Sequence, residues 1–171
     1  MEVNIFTFIA LILSFLGLSW FAGTDAPYVR TKQYKIKDAL KESDLKADQN
    51  FYELGSGDGR VVLEAAKFGA NSYGIEQSWI RIWMSRFSAR HMGLKNTHFL
   101  HGNVFDRNYY PADVVFIYLL QPAVDRLEEK LQIELKPGAK VITQTYHFKN
   151  WKPYKQVGNF WYYKKDKTKK H

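Results

Sequence analysis

Phe51-Tyr52-Glu53-Leu54-Gly55-Ser56-Gly57-Asp58-Gly59-Arg60 reads as a buried strand that ends in a glycine-rich turn, and Val61-Val62-Leu63-Glu64-Ala65-Ala66 continues from it as a helix. Glycines at alternate positions let the backbone turn sharply and come close to a ligand, and the following helix points its positive end at that ligand. The spacing stops short of the dinucleotide fingerprint Gly-x-Gly-x-x-Gly, whose third glycine would fall on Arg60.

The side chains around the turn decide which ligand it suits. Glu53 and Asp58 bracket it, and two carboxylates would repel a pyrophosphate. They suit S-adenosylmethionine, which has no phosphate and carries a sulfonium and an ammonium. An acidic residue is also expected at the end of the next strand, to accept hydrogen bonds from the ribose hydroxyls, and Tyr73-Gly74-Ile75-Glu76 supplies it about 20 residues on. Glu76 is the expected ribose ligand, and the rival reading of the glycines as an ordinary loop loses ground to the combination.

Outward from this unit the pattern alternates. A helix capped by Thr31 is expected to run to about Ser43. Beyond the first strand and helix come a strand over 71–76, a helix over 78–92, strands over 97–101 and 113–119, a helix over 122–135 and a strand over 139–146. Tyr154 to Val157 and Phe160 to Lys164 allow a final pair of strands. Asp113-Val114-Val115-Phe116-Ile117-Tyr118-Leu119 is almost continuously apolar, as a central strand covered on both faces should be. The expected fold is therefore α/β, a Rossmann-like sheet with helices on both faces. Ile80, Trp83, Met84 and Phe87 fall on one stripe of the 78–92 helix and read as core packing.

The 171 residues suffice for one domain and are too few for two of ordinary size. There is no cysteine, which excludes disulfides, thiolate metal sites and cysteine nucleophiles. The histidines at 91, 98, 101, 147 and 171 are scattered, with only His98 and His101 three apart, so no metal site is expected. From Val3 to Thr24 no residue is charged, and the run from Ile5 to Ala22 reads as a transmembrane helix. A cleaved leader would be basic, whereas Glu2 is the only charge ahead of the run. Arg30, Lys32, Lys35, Lys37 and Lys41 follow it, which predicts a single-pass membrane protein with its domain on the cytoplasmic side. The expected organisation is an anchor over 1–24, a catalytic domain over 25–165 and a basic tail over 166–171. The formal net charge of +8 leaves nucleic-acid binding as a weaker reading.

With these residues in view, the chain resembles the class I, seven-stranded methyltransferases, and within them the small protein-lysine methyltransferases that include the enzymes acting on the ATP synthase c subunit. The resemblance spans about residues 25–165. It rests on Ala26-Pro27-Tyr28-Val29 with Thr31, on Tyr52 to Arg60, on Gly74-Ile75-Glu76, on Asp113 to Leu119, and on Leu135-Lys136-Pro137-Gly138 with Trp151-Lys152-Pro153. Arg30 stands where the family's lead-in usually repeats a proline, and Asn103 where many class I enzymes carry an acid for the adenine amino group. The resemblance implies methyl transfer to a lysine of a membrane-associated protein. It also implies cofactor contacts from Thr31, Glu53, Gly55, Gly57, Asp58, Gly59, Glu76 and Asn103.

Transfer of a methyl group to an amine needs alignment rather than a nucleophilic side chain. Aromatic faces stabilise the charge that develops on nitrogen. Tyr118, at the C-terminal end of the fourth strand, leads the candidates for the substrate side. Tyr28 follows, with Tyr146 and Trp151 behind it. Three rivals stay open: a methyltransferase for a lipid-soluble small molecule, one for RNA, and a cofactor-binding module without catalysis. The RNA reading lacks an Asn-Pro-Pro-Tyr type motif where this chain has Tyr118-Leu119-Leu120-Gln121-Pro122.

Overall fold

The computed structural model describes residues 4–21 and 31–166. Its frame is one seven-stranded sheet in the order β3-β2-β1-β4-β5-β7-β6. The strands are β1 Asn50–Leu54, β2 Asn71–Glu76, β3 Thr97–His101, β4 Val114–Ile117, β5 Lys140–Gln144, β6 Lys155–Val157 and β7 Phe160–Lys164. The first five run parallel. β7 is antiparallel to β5, and β6 to β7. The helices are α1 Ile5–Phe21, α2 Gln33–Glu42, α3 Arg60–Lys67, α4 Trp79–His91 and α5 Gln121–Glu134.

Both faces of the sheet are covered, as the apolar β4 required: all four of its residues are buried. Phe51, Val114, Phe116 and Ile142 meet α2 and α3 through Ile36, Leu40, Val61 and Ala65. Leu54, Val115, Ile117 and Val141 meet α5 through Val124, Leu127 and Leu131. The strand order reverses between β1 and β4, and in open α/β sheets ligands bind outside the carboxyl ends of the strands at that point.

β4 ends two residues earlier than the sequence suggests. Its last pairing is Ile117 with Leu54 of β1, and β1 then turns away at Gly55. Tyr118 and Leu119 therefore leave the ladder for the cleft. Thr31 does not cap α2. Lys32 occupies that position without a side-chain bond, because the Thr31 hydroxyl donates instead to Gln144 Oε1 at 2.9 Å.

Two expectations are overturned. The apolar stripe of α4 faces outward: Trp83 is 72% and Phe87 74% exposed, while Arg81, Ile82, Ser85 and Ala89 are the buried side. Ile82 and Ala89 pack with Val62 and Leu63 of α3 and Phe99 of β3. Small side chains let α4 lie close there, which turns the large aromatics away.

The second correction concerns the N-terminus. α1 spans Ile5–Phe21. Among the described residues no helix is long and apolar enough to cross a membrane. The expected transmembrane span, and with it the single-pass location, does not hold.

Candidate active site

A cleft of about 230 Å³ opens at the carboxyl ends of β1, β2, β4 and β5. The glycine turn forms its floor. Gly55, Gly57 and Gly59 all have positive φ, at 79°, 54° and 76°, and the Gly55 and Ser56 amides both donate to the Ile75 carbonyl, at 3.0 and 2.9 Å. A side chain at Gly55 would be held in the left-handed region, and its Cβ, 2.7 Å from Leu119 Cδ2, would push the leucine side chain aside. Gly59 caps α3 from behind the cleft wall, and Ser85 ties α4 to the turn by donating to the Gly57 carbonyl at 3.4 Å.

Three carboxylates gather at this end, and each has a different environment. Glu53 is buried, and its Oε2 accepts from the Val62 amide at 3.2 Å. Burial pushes its carboxyl well above the ordinary glutamate value, and the neighbouring Asp58 and Glu76 charges push the same way. Glu76 is buried too, accepting from the Gly57 and Ser78 amides at 2.9 Å each, with Arg81 Nη1 3.8 Å away. Asp58 is held by Arg60, whose Nη2 lies 2.5 Å from its Oδ2. The same guanidinium donates to the Thr31 carbonyl at 3.0 Å.

The other end of the cleft, beyond β4 and β5, carries no carboxylate among the described residues. Phe116, Tyr118, Leu119, Leu120, Ala123, Thr145 and Tyr146 line it. The cleft is thus divided into an acidic half and an uncharged aromatic half.

Of the residues singled out from sequence, Thr31, Glu53, Gly55, Gly57, Asp58, Glu76 and Tyr118 line the cleft. Asn103 stands behind it: its Oδ1 accepts from the Phe105 amide at 3.0 Å and caps the short 3₁₀ turn Val104–Asp106. Tyr28 lies outside the described residues. Tyr146 lines the cleft, whereas Trp151 stacks on Phe148, 5.5 Å between ring centres, beside Tyr163 in the core. Sequence reasoning missed Ser56, Phe105 and Thr145. Phe105 lines the cleft under the Arg126 guanidinium, 3.8 Å above its ring, and follows Asn103 closely enough to have been suspected.

These features fit S-adenosylmethionine. Ser56 lines the cleft, and its hydroxyl, buried against Gly74, has no hydrogen-bond partner among the described residues. The acidic half suits a cationic ligand that carries hydroxyls, and a side chain on Gly55 would intrude on the floor.

Comparison with known proteins agrees. The family model described as the ANTKMT methyltransferase domain matches residues 53–155. A protein-lysine N-methyltransferase of Saccharolobus islandicus is 32% identical over 130 residues, covering 74% of this chain and 81% of that protein. The ATP synthase c-subunit lysine N-methyltransferase of Xenopus laevis is 34% identical over 129 residues, covering 74% of this chain and 56% of that protein. Among solved structures, an RNA methyltransferase from Salinibacter ruber in complex with S-adenosyl-L-homocysteine superposes with a TM-score of 0.78. It is 27% identical, over 84% of this chain and 98% of that one. The chain belongs to the ANTKMT methyltransferase domain family, and it is a methyltransferase whose methyl donor is S-adenosylmethionine.

Proposed function

We propose that this enzyme methylates the ε-amine of a lysine in a protein, with the donor across the acidic half of the cleft and the lysine entering the aromatic half. The division of the cleft is the observation that carries this reading, and the lysine-methyltransferase names of the relatives support it. S-adenosylmethionine supplies an electrophilic methyl on a sulfonium. As the amine attacks, a nitrogen–carbon bond forms, the sulfur–carbon bond breaks, and S-adenosylhomocysteine leaves.

Most of the chain's contribution to such a displacement is alignment, worth up to roughly 7–11 kcal/mol in well-oriented systems. Glu76 is assigned to the ribose hydroxyls. Gly55 and Gly57 shape the floor under the amino-acid part, with Glu53 beside its ammonium and Thr31 near its carboxylate, and Gly59 holds the turn from behind. Asp58, neutralised by Arg60, acts by fixing the turn. Asn103 acts by capping the turn that presents Phe105 to the adenine. Tyr118, with Tyr28 as the second candidate, offers the entering amine an aromatic face and a hydroxyl. The lysine must arrive neutral against an ordinary value of about 10.4, and an uncharged, partly desolvated half-cleft lowers that value.

The methyltransferase domain is assigned to residues 25–165, with residues 166–171 as a basic tail. The relatives named for the c subunit of ATP synthase make that protein the first acceptor to assay. RNA is the second, favoured by the likeness to the Salinibacter ruber enzyme. Calorimetry tests the cofactor assignment: Glu76→Ala and Gly57→Arg should each abolish S-adenosylmethionine binding in folded protein. Parent-like affinity in both variants would remove it.

A further inference from the structure

Three residues other than glycine have a positive φ among the described residues: Asp44, Asp48 and Thr145. Aspartate adopts this conformation with modest strain, but a β-branched residue there is an outlier. Thr145, at φ 67°, is also the one of the three that lines the cleft. Its neighbours close a γ-turn around it, the Tyr146 amide donating to the Gln144 carbonyl at 2.8 Å. A γ-turn of this hand is rare and strained, and such strain persists only where the surroundings over-determine it.

The surroundings are on three sides. The Thr145 amide donates to the Asn159 carbonyl at 2.8 Å, and Asn159 Nδ2 donates back to the Thr145 hydroxyl at 3.2 Å. Gln144, buried, accepts from Thr31 on the segment that leads into α2. Two residues further on, the His147 carbonyl accepts from Gln121 Nε2 at 2.9 Å, on the first turn of α5. Thr145 is thus tied to the β6–β7 hairpin, and its neighbours Gln144 and His147 to the Thr31 segment and the start of α5. Thr31, Tyr146, Leu120 and Ala123 from these pieces all line the cleft.

We infer that Thr145 is a positioning residue for the acceptor: its locked γ-turn holds Tyr146 so that the entering lysine is aligned with the methyl group. This deepens the lysine-methylation reading and rests on it. Glycine at 145 keeps the left-handed conformation available, relieves the strain and removes the bond from Asn159, so it loosens the turn without obstructing the fold. Thr145→Asn tolerates the conformation and keeps a hydrogen-bonding side chain.

The test uses the full chain, tritiated S-adenosylmethionine and a protein extract from cells lacking this chain, with methyl-lysine counted after acid hydrolysis. Thr145→Gly is expected to melt at or above the parent temperature and to bind S-adenosylmethionine with parent affinity. Its kcat should fall about tenfold to a hundredfold, the scale of loss when reacting groups are misplaced by roughly 1 Å. Thr145→Asn should restore most of that rate. Parent-like kcat in Thr145→Gly overturns the inference alone, as does a loss of rate matched by a loss of cofactor affinity. Absence of methyl-lysine with the unmutated chain overturns the lysine reading and this inference with it.

Discussion

Alanine at Gly59 should be far more damaging than alanine at Gly93, although both glycines have left-handed backbones, at φ 76° and 68°. A Cβ on Gly93 meets nothing within 4 Å, so the cost there is conformational, about 1–2 kcal/mol for an L-residue held in this region. A Cβ on Gly59 would lie 2.7 Å from Phe99 Cε1, 2.7 Å from Ser85 Oγ and 2.8 Å from Ser85 Cβ. Ser85 and Phe99 are themselves buried between α4 and β3, so neither can yield without moving an element. Overpacking of this kind adds about 1–3 kcal/mol, for a total of roughly 2–5 kcal/mol at Gly59. Urea unfolding of the two variants measures the difference directly. The midpoint should fall further in Gly59→Ala, with the slope unchanged in both. Equal midpoints would refute the claim that α3 and α4 close on the turn at this residue.

Three other outcomes follow from the same geometry. Trp83→Ser should change stability by no more than about 0.5 kcal/mol, as for an exposed site, where a buried tryptophan would cost roughly 3–5; a large loss on thermal unfolding would restore the core reading of α4. Glu128→Ala should cost about 1.5–3 kcal/mol, because this buried carboxylate accepts from the Lys149, Asn150 and Trp151 amides at 3.0, 2.7 and 2.5 Å and fixes the loop carrying Trp151; near-parent stability would contradict it. Burial holds the Glu53 carboxyl well above the ordinary 4.5, so the folded state binds its proton more tightly than the unfolded one. Glu53's contribution is then fully present below about pH 4.5 and is lost as pH rises through the folded value. Parent stability should therefore decline with rising pH more steeply than that of Glu53→Gln in paired urea titrations, and parallel profiles would argue against a buried acid.

What the sequence disclosed was mostly local chemistry. The glycine turn, Glu53 and Glu76 could be read because the conformations and the carboxylates sit within or beside one strand–turn–helix unit, and parallel pairing then fixes their neighbours. The central place of β4 was legible in the same way, since near-continuous apolarity at Val114–Ile117 demands cover on both faces. The α4 stripe misled because periodicity shows that a helix has two sides and not which of them meets the sheet. Ser85 and Ala89 decided that by allowing close approach to α3. Thr31 looked like a cap, but its partner Gln144 is 113 positions away. Thr145 gave no signal at all, for its backbone is set by Asn159, on the turn between β6 and β7. The N-terminal run was apolar enough to suggest a span, whereas no helix among the described residues is long and apolar enough to cross a membrane.

The most direct test of the central claim is to incubate the full chain with tritiated S-adenosylmethionine and extracts from its own source, then separate protein, lipid and RNA. The account predicts label in protein that elutes as methyl-lysine after hydrolysis, and no label with the Gly57→Arg variant. Label confined to RNA or lipid would contradict it.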